Sequence, residues 1–138
     1  MVWLIDTNVV LDYLQDRMPF ADDACAIWKM CESRKVKGCI SVLTFADIIY
    51  IMRKWLDASQ IEQLLTDLSG VFSFVSLTEE DIGRAASLHW KDYEDAIQAV
   101  TAERLRCDAI ITRNTRDFMG SVVPAVTPKE ILEKNSNA

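Results

Sequence analysis

The sequence predicts an α/β protein, a three-layer α/β/α sandwich around a central parallel sheet of about five strands. Residues 2–5 are apolar, and so are residues 109–111, which precede Thr112. Such runs are typical of strands buried on both faces of a parallel sheet. Between the short apolar runs lie segments with apolar residues at helical spacing. Strands that alternate with helices indicate a parallel sheet covered by helices on both sides.

The predicted elements follow one another without a repeat, a low-complexity tract or a linker between them. We expect strands at residues 2–5, 39–41, 72–77, 109–112 and 122–126. We expect helices at residues 7–15, 21–34, 42–55, about 60–69, about 79–91, 92–105 and 128 to about 133. We therefore expect residues 1–138 to form a single domain, which at this length can bury roughly two-thirds of its unfolded surface in one core.

Helix-capping signals support several of these boundaries. Ser59-x-x-Glu62 and Thr78-x-x-Asp81 both resemble capping boxes, so each is expected to begin a helix. The other expected caps are Ser41, before the helix at 42–55, and Thr127, before Pro128 at the first position of the last helix.

Composition narrows the class of protein. No apolar stretch approaches the ~20 residues that a membrane span needs. The first apolar run has no basic stretch before it and continues directly into Asp6, so we expect no signal peptide and a cytoplasmic protein. The net charge of −6 argues against a broad basic face for nucleic acid. It does not exclude a nuclease, since acids concentrated in one site lower the total while arginines act locally.

The cysteines and the single histidine bear on which metals the chain could bind. Cys25, Cys31, Cys39 and Cys107 have no metal-ligand spacing and are expected to be free thiols in a reducing compartment. His89 lies in a helical stretch with no other zinc-type ligand near it. A bound metal would therefore be held by oxygen atoms, which favours magnesium or manganese over zinc.

Two predicted strands run directly into polar and acidic residues. Asp6 and Asn8 follow the strand at 2–5, and Asp117 follows the strand that ends at Thr112. Ligands of parallel sheets bind off the carboxyl ends of the strands, so these side chains are expected to meet. We interpret the cluster as a metal site, although Asp6 alone is equally well explained as a helix N-cap.

The segment after Thr112 offers several further groups. Asp117 is a candidate metal ligand, with an ion pair to Arg113 or Arg116 as the alternative. These arginines could also hold a phosphate or neutralise neighbouring acids. Asn114 and Thr112 supply neutral oxygens for a metal-bound water.

Three more aspartates come from helical segments. Asp47 lies in a strongly apolar helix, where it either faces the site or shares a solvent-facing stripe with Lys54. Asp92 and Asp95 are three residues apart and project from one side of a first helical turn. We interpret Asp92 as a cap with Asp95 as its third-position partner, and Asp95 as functional because small residues on its face let the helix approach the sheet closely.

Together these acids match the pattern of a known family. The matching stretches are IDTNVVLD at 5–12, SVLTFAD at 41–47, DYEDAIQA at 92–99 and ITRNTRDF at 111–118. The chain resembles a PIN domain, the magnesium-dependent ribonuclease fold of the VapC-type toxins, from Leu4 to about Leu132. The resemblance implies that the metal-binding and catalytic acids are Asp6, Asp47, Asp95 and Asp117, with Asn8, Asp92, Thr112, Asn114, Arg113 and Arg116 in support.

The same resemblance implies the reaction and its participants. One or two Mg²⁺ or Mn²⁺ ions would direct a water at an RNA phosphodiester, leaving a 5′-phosphate and a 3′-hydroxyl. The protein would be the toxin of a toxin–antitoxin pair, inhibited by an antitoxin segment that lies across the acidic pocket. Apolar faces at residues 42–55 and 61–68 could also support a homodimer, although core packing explains most of them.

Two positions depart from the family pattern and keep alternatives open. The second acid is usually Glu, one methylene longer than Asp47, and many members have an acid where this chain has Asn114. A PIN-like module that binds RNA or protein but cuts weakly is therefore the first alternative. A phosphatase of the haloacid dehalogenase type would need an aspartate where this chain has Asn8, and a dinucleotide-binding fold would need a Gly-rich turn after the first strand.

Overall fold

The computed structural model describes residues 1–136, and a five-stranded parallel sheet runs through its centre. The strands are β1 (Val2–Ile5), β2 (Lys37–Ser41), β3 (Ser73–Val75), β4 (Ala109–Ile111) and β5 (Ala125–Val126). The helices are α1 (Thr7–Leu14), α2 (Ala21–Glu32), α3 (Val42–Met52), α4 (Ala58–Val71), α5 (Glu79–Ser87), α6 (Tyr93–Arg104) and α7 (Pro128–Ser136), with a short 3₁₀ helix at Thr115–Phe118.

The strand order is β3-β2-β1-β4-β5, and every neighbouring pair is parallel. β1 lies in the middle, with Leu4 opposite Cys39 of β2 on one side and Ile110 of β4 on the other. The predicted α/β class and the number of strands are therefore confirmed. All carboxyl ends of the strands lie at one edge, which is where parallel sheets place their ligand sites.

Alternate side chains of the central strands enter two separate cores. Trp3 and Ile5 pack with residues from α1, α2, α3, α4 and α7 on one face of the sheet. Leu4 packs on the other face with Ala99 and Ala102 of α6, and α5 in turn packs on α6. This division, which follows from the two-residue period of a strand, produces the three layers expected from the sequence.

Several element boundaries differ from the predictions. α4 is capped by a box between Asp57 and Gln60, so the predicted box of Ser59 and Glu62 is wrong. β3 and β5 are shorter than the runs at 72–77 and 122–126, whereas β2 begins earlier, at Lys37. α3 and α5 end at Met52 and Ser87, before the predicted ends at residues 55 and 91.

The other predicted caps are present. The hydroxyl of Ser41 accepts a hydrogen bond from the Thr44 N–H, and that of Thr127 accepts one from the Glu130 N–H, each at 3.1 Å. Thr78 and Asp81 form a complete capping box. Local polar residues therefore set the starts of these helices, as the sequence pattern indicated.

The four cysteines are free thiols, as expected. Burial raises the pKa of the Cys31 and Cys107 thiols to about 12, which keeps them protonated. Among the helices of residues 1–136, none has the length and apolar character needed to cross a membrane.

Gly38 provides a test of the packing between β2 and α2. A Cβ atom at this position would lie 2.5 Å from the Cys31 Sγ and 3.0 Å from a ring carbon of Phe72. We expect Gly38→Ala to lower the free energy of unfolding by about 1–3 kcal/mol through overpacking, measured by urea denaturation. Gly70→Ala is the matched control, because a Cβ there meets no atom within 4 Å and the change favours the helix by up to about 1 kcal/mol. Equal stability of the two variants would contradict this account of the core.

Candidate active site

A cavity of about 510 Å³ lies at the carboxyl edge of the sheet, and all four of the predicted ligand aspartates line it. Asp6 follows β1, Asp47 lies on α3, Asp95 lies in the first turn of α6, and Asp117 lies in the 3₁₀ helix after β4. The structure thus brings together acids from four segments that are distant in sequence. The other lining residues are Thr7, Asn8, Leu11, Arg17, Tyr50, Ile51, Asp92, Glu94 and Asn114.

Asp6 is the most buried of these acids, with 8% of its surface exposed. Its side chain caps α1 by accepting a hydrogen bond from the Thr7 N–H at 2.9 Å. Its other carboxylate oxygen accepts hydrogen bonds from the Thr112 hydroxyl at 2.9 Å and from the Asn8 amide at 3.3 Å. The two interpretations of Asp6, as a cap and as a site residue, are therefore compatible in one side chain.

Gln98 connects Asp6 to the start of α3, and the sequence analysis did not identify it. Its amide nitrogen donates to the Thr44 hydroxyl at 2.8 Å and to Asp6 at 3.4 Å, and its carbonyl oxygen accepts from the Ser41 hydroxyl at 2.8 Å. Gln98 is only 3% exposed, so its polar atoms must find partners inside the protein. A polar residue in the otherwise small and apolar face of α6 was the available signal.

Asp92 is the N-cap of α6 and accepts a hydrogen bond from the Asp95 N–H at 3.1 Å, as predicted. Glu94, which was not among the predicted site residues, also lines the cavity. The stretch from Asp92 to Asp95 carries three acids in four residues, and this density was a signal for Glu94 as well. The N-terminus of α6 therefore contributes three carboxylates to one cavity.

Burial and mutual repulsion raise the pKa values of several of these acids. Burial raises the pKa of Asp6, and its hydrogen bonds do not offset the effect. Burial and then the charge of Asp6 raise the pKa of Asp47. The pKa of Glu94 is raised by burial and next by the charge of Asp47. Like charges gathered in a partly buried cavity favour the protonated forms.

The pKa of the Asp95 carboxyl is raised into the neutral range. Burial raises it first, and the charges of neighbouring carboxylates raise it further, to about 7. These carboxylates are, in decreasing order of effect, those of Asp92, Asp6, Asp117 and Glu94. A carboxyl that titrates near neutrality marks a site where negative charge is in excess.

The arginines are arranged differently from the prediction. Arg113 binds the buried Asp12 with two hydrogen bonds, of 2.6 and 3.2 Å, and lies over the ring of Phe20. Within residues 1–136, Asp117 forms no ion pair with Arg113 or Arg116, so that alternative is wrong. Asp12 is paired with Arg113 and does not line the cavity.

Arg17 and Arg116 are two of the cations that line the cavities. Arg17 lines the acidic cavity itself and lies 3.8 Å from Asp12. Arg116 lines an adjacent cavity that shares three acids with it. Lys54 lies beyond the end of α3, so it does not continue a helical stripe from Asp47.

The supporting polar residues fall into two groups. Asn8 and Asn114 line the cavity. Thr112 is buried beneath it, where its hydroxyl donates to Asp6 and accepts from the Asn114 N–H at 3.1 Å. Among the side chains of residues 1–136, no three from His, Cys, Asp and Glu are already grouped closely enough to hold a metal ion.

The parallel sheet and the acid-lined cavity at its carboxyl edge define an α/β protein with a carboxylate-rich site. Residues 2–116 match the sequence profile of the PIN domain. The chain belongs to the PIN domain family, whose members are generally nucleases. A search of curated proteins gave no significant match.

Solved structures support the same assignment. A chain in a toxin–antitoxin complex from Klebsiella pneumoniae is 27% identical, with a TM-score of 0.70 over 91% of this chain and 96% of that one. VapBC2 from Rickettsia felis, bound to a DNA fragment from its promoter, gives 14% identity, a TM-score of 0.70 and coverage of 92% and 98%. VapBC-1 from nontypeable Haemophilus influenzae gives 17% identity and a TM-score of 0.69, with coverage of 94% of this chain and 99% of that one. At their lower identities, the last two show a shared fold.

The raised pKa of Asp95 predicts how stability depends on pH. Between about 4 and 7 the folded protein holds a proton on Asp95 that the unfolded chain has lost, so the free energy of unfolding falls as the pH rises through this range. Thermal melts at pH 5 and pH 8 should therefore give the higher melting temperature at pH 5. Asp95→Asn should reduce this difference, whereas Asp22→Asn on the exposed surface of α2 should leave it unchanged. A difference of the same size in both variants would contradict the assignment.

Proposed function

We propose that this protein is an endoribonuclease that depends on Mg²⁺ or Mn²⁺ and hydrolyses RNA phosphodiesters, acting in the cytoplasm as the toxin of a toxin–antitoxin pair. The observation that carries the proposal is the convergence of Asp6, Asp47, Asp95 and Asp117 on one cavity. Membership of the PIN domain family supports a nuclease. The toxin–antitoxin complex at 27% identity supports the biological role.

The residues of the cavity fit a divalent cation held by oxygen. Its acids supply carboxylates and its asparagines supply amide oxygens, which are the ligands that Mg²⁺ and Mn²⁺ prefer. The raised pKa values of Asp6, Asp47 and Asp95 mean that the cavity carries negative charge without enough compensation. One or two bound ions would supply that compensation, with Asp6, Asp95, Asp117 and Asp47 as the proposed ligands.

Each side chain has a distinct task in the proposed reaction. When bound, the cation would supply Lewis acidity that makes a water more acidic and neutralises the developing charge on the phosphate. Thr112 and Asn8 hold the Asp6 carboxylate in one orientation through their hydrogen bonds. Asn114 offers a neutral amide to a water or a phosphate oxygen. Arg17, a cation in the lining, would bind the substrate phosphate.

The proposed partners follow from the same surface. An antitoxin segment that carries a basic side chain would complement the acids of the cavity and block it. Tyr50 and Trp55, 62% and 64% exposed, lie at and just beyond the end of α3 and are available for a homodimer contact.

A weakly catalytic module that binds RNA or protein is the second candidate function. The observations that favour it are the short side chain of Asp47, the amide at Asn114 and the lack of a ready metal grouping within residues 1–136. Cleavage assays with Mn²⁺, compared with RNA binding in the presence of a chelator, separate the two functions. Binding without cleavage would favour the second candidate.

The nuclease proposal predicts a large loss of activity when a ligand is neutralised. Asp6→Asn and Asp95→Asn should each reduce the rate of Mg²⁺-dependent RNA cleavage by about 100-fold or more, since charge stabilisation in the site is lost. Circular dichroism melts would check that the variants are folded, and Asp22→Asn is the matched control. Undiminished cleavage by either site variant would refute its role.

The metal proposal also predicts stabilisation by the ion alone. With the ion at about 100 times its Kd, the melting temperature should rise by roughly 5–10 °C, because the folded state alone offers the site. The readout is a thermal melt with Mg²⁺ or Mn²⁺ against KCl of equal ionic strength. The double variant Asp6→Asn/Asp95→Asn should lose most of the shift. A melting temperature that changes with neither Mg²⁺ nor Mn²⁺ would exclude the metal site.

A further inference from the structure

A second cavity, of about 750 Å³, adjoins the acidic one. The two share Asp92, Glu94 and Asp117 in their linings, so whatever enters the acidic cavity can continue into this neighbour. The lining that is not shared consists of Trp90, Lys91, Tyr93, Arg116 and Met119. This part, which we call the aromatic wall, contains two aromatic rings, two cations and a thioether, and no acid.

The rings of the aromatic wall are held in place by the fold. Trp90 packs edge-on against Phe118, with ring centroids 6.2 Å apart and planes at 83°. Gly120 has a φ of +93°, a conformation that favours glycine, and it lies beside Trp90, because a Cβ there would make an ordinary contact of 3.9 Å with the indole. The Tyr93 hydroxyl donates to the Ile82 carbonyl oxygen at 2.8 Å, while 43% of the residue stays exposed. Fixed aromatic surfaces bind a flat ligand at low entropic cost.

The cations of the aromatic wall are available to a ligand. Lys91 and Arg116 are both exposed, and neither forms an ion pair with any of the described residues. By contrast, Arg113 and Arg104 are committed to the buried Asp12 and Asp81. Lys91 and Arg116 can therefore contact an anionic group directly, while the three acids of the lining lie on the side shared with the acidic cavity.

We propose that the aromatic wall binds the unpaired nucleotide that adjoins the phosphate in the acidic cavity. The base would stack on the exposed face of Tyr93 beside Trp90, and Lys91 and Arg116 would contact the flanking phosphates. Stacking on aromatic rings combined with backbone contacts from cations is how proteins hold single-stranded nucleic acid. A duplex keeps its bases stacked on each other and cannot offer one to the wall, so the wall would select an unpaired nucleotide at this one position. This inference rests on the proposed nuclease function.

Binding of a short single-stranded RNA in EDTA tests the cations without any cleavage. For single strands, each lost phosphate contact should reduce the magnitude of the slope of log K against log salt concentration by about 0.7. Lys91→Gln/Arg116→Gln should therefore show both a weaker affinity at low salt and a flatter slope. Lys29→Gln/Arg106→Gln is the matched control, since it removes the same charges at the opposite edge of the sheet.

The stacking step has its own pair of variants. Tyr93→Leu should weaken binding of the single strand by roughly 5- to 100-fold, the range expected for one lost base stack. Tyr93→Phe, which keeps the ring, should bind within about twofold of the unchanged protein. Neither variant should alter the affinity for a duplex of the same sequence. If Tyr93→Leu does not fold, the exposed cation pair still tests the wall.

The outcomes separate this inference from the nuclease proposal. A flatter slope of log K against log salt concentration in Lys91→Gln/Arg116→Gln, together with RNA cleavage by the unchanged protein, would support both the aromatic wall and the nuclease proposal. The same flatter slope without any cleavage would support the aromatic wall and overturn the nuclease. If the unchanged protein cleaves RNA but the cation variant keeps its slope and Tyr93→Leu keeps its affinity, only the aromatic-wall proposal is overturned. A protein segment would then be the better candidate for that cavity. No RNA binding by the unchanged protein would overturn the inference.

Discussion

The parallel pairing of β1 with β4 is the constraint on which the site depends. The Asp6 N–H continues the ladder by donating to the Ile111 carbonyl oxygen at 2.9 Å, so the chain leaves both strands at the same level. The Thr112 hydroxyl then reaches the Asp6 carboxylate, although the two residues are 106 positions apart. Without this pairing, the two acidic segments would have no reason to meet. Trp3 and Ile5 enter one core and Leu4 the other, so a slip of one residue would exchange their side chains between the two cores, and this fixes the register.

Negative charge at this edge works against the stability of the fold, and neutral hydrogen bonds limit the cost. Gln98 joins Asp6 to the start of α3 through Thr44 and Ser41, so one buried amide links three of the segments that line the cavity. Each polar atom of this network has a partner, which avoids the larger penalty of a buried group without one. Among residues 1–136, the Asp47 and Asp95 carboxylates accept no such hydrogen bond, and burial together with neighbouring charges raises their pKa values. Stability is thus lost where a cation or a substrate would bind.

Much of the fold and the main acids could be predicted from sequence, because their signals are local. Examples are the short, wholly apolar runs of β1 and β4, the Thr78 capping box and the spacing of Asp92 and Asp95. The start of α4 could not, because Asp57-x-x-Gln60 and Ser59-x-x-Glu62 are competing caps two residues apart and the pattern alone does not choose between them. The ends of β3 and β5 depend on pairing with a neighbour rather than on their own residues. Gln98 lies within a quoted stretch but gave only the signal of one polar residue on α6, and Arg17 lies in none of the stretches. Tertiary contacts bring both residues to the acids.

The ion pair between Arg113 and Asp12 determines how one part of the structure responds to ionic strength. It fastens the segment after β4 to α1 with two hydrogen bonds to a carboxylate that is 1% exposed, and Phe20 covers the guanidinium. Dissolved ions screen such a shielded pair far less than they screen charges in open water. Added salt therefore weakens contacts that exposed cations such as Lys91 and Arg116 make with an anion, while the shielded pair of Arg113 and Asp12 persists. The attachment of the segment after β4 to α1 is thus less sensitive to salt than the interactions of the exposed charges.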